Sequence, residues 1–180
     1  MAIKDDLLDA AETLVRTGGY NNFSFRDLAE QVGIKSASVH YHYKTKADLA
    51  LALIERYTER FIAELSQRQQ VAEADAGQQM TAAFRDSLQS SGMMCLCGML
   101  AAEGDGLPAE VKLATASFFK RNQSWLSQQW QAQHQLRPEL AERRALALLA
   151  MLEGALLLAK VGDDLNLFDV VVSELQVSQS

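Results

Sequence analysis

The chain is poor in residues that break or staple structure. Its 180 residues include 2 prolines, 10 glycines and 2 cysteines. Two thiols cannot build a disulfide framework, and they fall short of a thiolate zinc site. With so little proline and glycine, long helices are possible and a disordered chain is not expected. Strand-like alternation of useful length is missing, as are internal repeats and low-complexity tails. No run of about 18 apolar residues predicts a membrane span. The opening "MAIKDDLLDAAETL" has neither the apolar core nor the cleavage pattern of a signal peptide. Enzyme signatures are missing too: there is no H-E-x-x-H, no Walker loop, no G-x-G-x-x-G and no G-x-S-x-G. These absences predict a cytoplasmic protein that is not an enzyme. They also predict no catalytic residues, no cofactor, no metal and no membrane partner.

Apolar residues make up 48% and charged residues 22% of the chain, the balance of a soluble globular protein. Its length suffices for a real core. The net charge of −6 argues against a polyanionic partner, but the distribution of charge matters more than the total. The first 46 residues set Lys4, Arg16, Arg26, Lys35, Lys44 and Lys46 against Asp5, Asp6, Asp9, Glu12, Asp27 and Glu30, and so balance. The whole negative excess lies in the remainder. Within the first quarter, "GIKSASVHYHYKTK" from Gly33 to Lys46 carries three lysines, two histidines, two tyrosines and no acid.

Helical periodicity runs through the chain. Ile3, Leu7, Ala10, Ala11, Leu14 and Val15 share one face of a first helix that stops at Gly18-Gly19. Ser24 and Asp27 form the [ST]-x-x-[DE] signature of a capping box, with Phe23 and Leu28 placed as a hydrophobic staple. Phe25, Leu28, Ala29 and Val32 then line one face of a short second helix, which ends at Gly33. In the third, Val39 and Tyr43 point inward at i, i+4, opposite Ser36, Ala37, His40, Tyr41 and Lys44. A long helix begins near Lys46, and others are expected over about 78–90, 108–133, 138–161 and 167–177. The stretch "SSGMMCLCGMLAAEGDGLP" reads as a glycine-broken connection. The predicted architecture is all-α. An N-terminal three-helix unit, residues 1–46, is joined by a connecting helix, 47–70, to a helical bundle within 47–180.

Two short helices around a tight glycine turn, the second polar on one face, read as helix-turn-helix. A helix that enters the major groove needs small or hydrogen-bonding residues on its leading face, which Ser36, Ala37 and Ser38 provide. His40 and Tyr41 add donors and ring edges. Lys35, Lys44 and Lys46, with Ser24 and Arg26 at the preceding helix start, are placed to meet phosphate.

"FSFRDLAEQVGIKSASVHYHYKTKADL", Phe23 to Leu49, resembles the DNA-binding signature of the TetR family of bacterial transcriptional regulators. Ser24, Ala29, Gly33, Ile34, Val39, Tyr41, Tyr43 and Lys46 stand at matching positions. His40 stands where the family usually has tyrosine, Tyr43 where phenylalanine is common, and Lys44 where proline is common. The resemblance implies a ligand-responsive repressor that binds a palindromic operator in double-stranded DNA as a homodimer. A small apolar or electrophilic molecule would release it. The alternative is an all-α dimeric ligand-binding protein without specific DNA binding.

The same resemblance assigns the rest of the chain. The last two helices would form the dimer contact, through Leu146, Leu149, Leu152, Leu156 and Val161 and through Leu167, Val170, Val171 and Leu175. The middle helices would hold the unidentified effector, with Phe84, Leu88, Cys95, Met99, Phe118 and Trp125 as candidate ligand-binding residues. Leu96, Phe119 and Trp130 are further apolar positions of the same helices. In "MMCLCGMLAAE", Cys95 is similar in placement to a cysteine that responds to electrophiles in some family members.

Overall fold

A computed structural model describes residues 2–71 and 74–177. Among these residues all regular structure is helical. The order is α1 Ala2–Gly18, α2 Phe25–Val32, α3 Ser36–His42, α4 Lys46–Val71, α5 Ala76–Ser91 and α6 Leu96–Ala102. A 3-10 turn at Gly104–Gly106 precedes α7 Ala109–His134, α8 Pro138–Gly162 and α9 Asn166–Val177. Helix α6 lies inside the stretch that the sequence marks as a connection. Buried Leu96, Cys97 and Leu100 hold it in place despite Gly98 in its middle, so packing overrides the glycine's low propensity.

The helices gather into two compact units. The first takes α1–α3, α4 up to Glu59, α6 and the start of α7 up to Phe118. Its core joins Leu7, Ala11 and Val15 of α1 to Leu28, Val39, Leu49 and Leu53, all essentially without solvent contact. Burying each of these leucine and valine side chains contributes about 1.5–3 kcal/mol. Helix α1 packs on both α2 and α6. At the α1–α2 junction, Gly19 adopts φ +85, and a Cβ there would lie 1.7 Å from Glu103 Oε1. Only glycine allows the Glu103 carboxylate this close, where it accepts Asn21 N at 3.2 Å and Asn21 Nδ2 at 3.0 Å.

The second unit takes the rest of α4, α5, most of α7, α8 and α9. Met80 and Phe84 of α5, Leu126 of α7, Leu152 of α8 and Phe168 of α9 form its interior. Pro138 occupies the first turn of α8 as the sequence predicts, and Asp163 ends that helix in a left-handed conformation at φ 48. Polar ties fix the packing. Arg85 donates to both carboxylate oxygens of Asp169 at 2.7 and 2.8 Å. Trp130 Nε1 donates to Asp75 Oδ2 at 3.0 Å, and Lys160 Nζ to the Gly92 carbonyl at 2.7 Å. By length and composition α8 is apolar enough to cross a membrane, with a mean hydropathy of 1.9 over 18 residues. Its Ala141, Ala145, Leu149, Leu152 and Leu156 are buried, and it packs on α5 and α9. One face of α8 is thus packed within the unit, while 39% of the apolar window is buried in all.

Of the positions expected to carry a dimer contact, Leu149, Leu152 and Leu156 are buried within the chain. Leu146, Val161, Leu167 and Val170 are exposed, and Leu157 and Leu158 join them on the surface. Val171 is half-buried, and the Leu175 side chain lies outside the described residues.

Candidate nucleic-acid interface

The surface is built on a tightly fastened α2. Ser24 is its N-cap in extended conformation, and the capping box closes in both directions. Asp27 N donates to Ser24 Oγ at 3.3 Å, while Ser24 N and Oγ each donate to Asp27 Oδ2 at 2.7 Å. These hydrogen bonds hold the Asp27 carboxyl below its ordinary range. Gly33 ends the helix at φ 75, and Ile34 N donates to Ala29 O at 2.9 Å. The turn then delivers α3 with Val39 fully buried and Tyr43 nearly so, the two anchors expected from the sequence.

Opposite those anchors, Lys35, Ala37, His40, Tyr41 and Lys44 are exposed, and Ser36 and Ser38 are half-exposed. Tyr41 is the most projecting of them, at 85% exposure. His40 is steadied from behind by Phe25, edge to face with ring centroids 4.9 Å apart. Phe25 is therefore half-buried and supports the reading face, where the sequence suggests a plain core residue. Arg26 is exposed on the first turn of α2. Small side chains, two aromatic rings and lysines converge on one acid-free helix, which can approach phosphate and present donors to base edges.

Two of the expected phosphate-contacting residues also make bonds within the fold. The Ser24 hydroxyl is already engaged on both sides by the capping box. Lys46, half-buried at the start of α4, donates to the Phe23 carbonyl. Its Nζ lies 4.2 Å from the Phe23 ring centre and 4.6 Å from that of Tyr20. Burial lowers its pKa, and the carboxylates of Glu103 and Asp27 oppose that shift. The ammonium thus braces the α1–α2 loop against α4, a reach that spacing along the chain does not reveal. Sequence reasoning also misses the cap of α4. Thr45 N donates to Asp48 Oδ2 and Asp48 N to Thr45 Oγ1, both at 3.0 Å. The T-K-A-D pattern was the available signal.

The candidate ligand-binding residues are divided between the units. Phe84, Leu88, Cys95 and Trp125 belong to the second, Met99 and Phe118 to the first. Phe84 is buried edge-on to Phe61, with centroids 5.5 Å apart. Trp125 donates to Ser66 Oγ at 3.2 Å. Cys95 and Cys97 are both buried and form no disulfide. Reactive thiols favour exposure and positive surroundings, whereas Cys95 faces the Glu153 carboxyl on α8. Glu153 went unnoticed in the sequence, and no local pattern points to it. The second unit also holds a cavity of about 490 Å³ lined by Asp75, Gly77, Gln78, Thr81, Ala82, Arg85, Trp130, His134, Leu148 and Val172. Of the aromatic positions singled out from the sequence, Trp130 alone lines it. Asp75 closes one side, with His134 Nε2 2.6 Å from its carboxylate.

Comparison with known proteins agrees with this geometry. Residues 7–53 match the family model described as bacterial regulatory proteins, tetR family. Residues 73–174 match that of the LmrA/YxaF-like transcriptional regulator C-terminal domain. A TetR transcriptional regulator from Legionella pneumophila superposes with a TM-score of 0.90 at 30% identity, covering 99% of this chain and 97% of its own. A TetR-family regulator from Agrobacterium tumefaciens gives 0.87 at 26% identity, covering 96% and 94%. The biofilm operon icaADBC negative transcriptional regulator IcaR of Staphylococcus epidermidis is 35% identical over 60 residues. That match covers 33% of this chain and 32% of the relative.

Proposed function

Because the chain belongs to the TetR family of bacterial regulatory proteins, we propose that it occupies a palindromic operator as a homodimer and represses transcription until a small effector releases it. It is a DNA-binding transcriptional regulator. The single observation that carries the rest is the α3 face. Lys35, Ser36, Ala37, His40, Tyr41 and Lys44 are presented outward while Val39 and Tyr43 lock the helix from behind. Arg26 and Ser38 complete the surface.

Residues 1–46 read DNA in this account, and 47–180 bind the effector and dimerise, with 47–70 as the connection. One short recognition helix reads few base pairs, so a pair of them about 34 Å apart suits a palindrome. Leu146, Leu157, Leu158 and Val161 of α8 with Leu167 and Val170 of α9 form an apolar face suited to its own copy. The effector is small and mainly apolar. An electrophile acting at Cys95 would first have to reach a buried thiol. By binding better to the form whose recognition helices are wrongly spaced, the effector lowers DNA affinity. The site of action is the cytoplasm, and repression is inferred from the IcaR relative, a negative transcriptional regulator.

The test is titration of labelled DNA from upstream of the protein's own gene. Saturable binding should weaken by at least about 100-fold between about 0.05 and 0.2 M salt, because phosphate contacts release counterions. Binding that never saturates, or that ignores salt, overturns the proposal in favour of a ligand-binding dimer without operator recognition.

A further inference from the structure

Resting on the operator-binding reading above, we infer that α3 specifies its half-site through the 5-methyl group of thymine, with the Tyr41 ring as the reader and Ala37 beside it. Val39 is the buried residue of α3. The side of the helix turned away from it is therefore the side that enters a groove deepest. Successive residues stand about 100° apart round an α-helix. Ala37 and Tyr41, on either side of Val39 in sequence, thus lie about 160° from it and about 40° from each other. Both are exposed, and Tyr41 projects at 85%. Ser38 and His40 flank that line at about 100° from Val39. Lys35 is the N-cap before the helix, and Lys44 follows its end.

The residue types on this leading line exclude the strongest hydrogen-bond readouts. Guanine is read in pairs by arginine or lysine, and adenine by asparagine or glutamine. The helix Ser-Ala-Ser-Val-His-Tyr-His contains none of the four. Its half-exposed serines can bond several base edges and so discriminate little. What remains at the centre is an alanine methyl and an aromatic ring. Both are apolar, and the apolar feature of the major groove is the thymine methyl, which the other three bases lack. Tyr41 is braced for this contact. Its ring stands edge-on to His42, with centroids 5.2 Å apart and planes at 84°. A ring already held in place loses less freedom on binding. His40 rests instead on Phe25 of α2, on the flank where the sugar–phosphate backbone borders the groove.

The experiment deletes methyl groups from the DNA. Footprinting first locates the half-sites upstream of the protein's own gene. Each thymine within them is then replaced in turn by deoxyuridine, which removes the methyl and keeps the base pair. Full-length protein is titrated against each labelled duplex by fluorescence anisotropy. At least one position in each half-site should lose about fourfold in affinity, the worth of one buried methyl. Tyr41→Phe should keep that sensitivity, because the ring remains. Tyr41→Ala should bind the parent DNA more weakly and become blind to the methyl at one such position. The inference is overturned if the parent DNA binds saturably yet no thymine responds, which leaves the operator reading standing. Tyr41→Ala that responds to every deoxyuridine as the unaltered chain does also overturns it. So does loss of the response in Tyr41→Phe, which would assign the contact to the hydroxyl. If the parent DNA never binds saturably, the operator reading falls and this inference with it.

Discussion

The two units bury charge in different ways. In the first, Arg16 is buried against Glu12 at 3.2 Å, and Lys46 lies on a carbonyl and two aromatic faces. In the second, Glu153 is buried with no partner for either oxygen. Charges satisfied within the fold hold helices together and are lost to outside partners. The charges proposed to meet DNA in the first unit, Arg26, Lys35 and Lys44, are exposed. In the second unit the Glu153 carboxylate is hidden instead. Charges at the surface can meet a polyanion and let its counterions leave, whereas a single charge held inside acts at low dielectric.

The contrast breaks most visibly at the exposed lysines. Reversing both, Lys35→Glu with Lys44→Glu, should lower affinity for every DNA sequence by about 1,000-fold at 0.15 M salt and leave thermal stability near the parent value. Fluorescence anisotropy and a melting curve on the same sample check both halves. If stability falls in step with binding, the two lysines belong with the buried charges instead.

Glu153 should show the opposite pattern, a large effect on stability and little on DNA. Its folded-state value of about 7 lies above the ordinary carboxyl value of 4.5. Between those values the folded chain holds a proton that the unfolded chain releases. Stability therefore declines as pH rises through this window and levels off above it. Glu153→Gln removes the decline, raising stability at about pH 8 by roughly 3 kcal/mol at most and changing little at about pH 4. Denaturant unfolding at the two pH values measures it. Parallel curves for parent and variant would mean the carboxyl is satisfied after all.

Lys46 sharpens the comparison from the other side, since its charge is internal although it adjoins the DNA surface. Lys46→Met should cost about 1–2 kcal/mol of stability through the lost carbonyl bond and ring contacts. The salt dependence of DNA binding should keep its slope, whereas Lys44→Ala should reduce that slope by about one counterion. A slope that drops equally in both variants would return Lys46 to the phosphate-contacting set.

What the sequence discloses follows the same division. The N-terminal helices are written in short-range signals: Gly18-Gly19 as a stop, Ser24 with Asp27 as a box, Gly33 as a left-handed end, and Val39 with Tyr43 as the inner pair. Each acts within four residues, so reading along the chain finds it. The long helices of the bundle are equally legible from periodicity and from Pro138. Contacts between distant segments are not. Nothing local shows that Lys46 turns back to Phe23, that Glu103 rests under Gly19, or that Cys95 meets Glu153. Helix α6 was hidden because glycines are read as breaks, while burial of Leu96 and Leu100 decides otherwise. The ligand candidates chosen for aromatic character are split between units for the same reason. Composition names apolar side chains but not the cavity they share.

The smallest expected effect separates fold from contact at a single hydroxyl. Ser24 stands where a phosphate contact is plausible, yet its Oγ accepts from Asp27 N and donates to Asp27 Oδ2. Ser24→Ala should therefore destabilise by about 1 kcal/mol, the usual worth of an N-cap. DNA affinity measured well below the melting temperature should then change by less than about threefold, with the same salt slope. Ser24→Asp supplies the discriminating arm. An aspartate caps a helix as well as serine does, but it replaces a hydroxyl that donates to Asp27 Oδ2 with a second carboxylate, so stability should recover only in part. Its carboxylate would repel a phosphate at contact distance, so an unchanged affinity in Ser24→Asp places position 24 among the charges and dipoles that serve the fold. A loss comparable to that of Lys44→Ala would place it on the DNA.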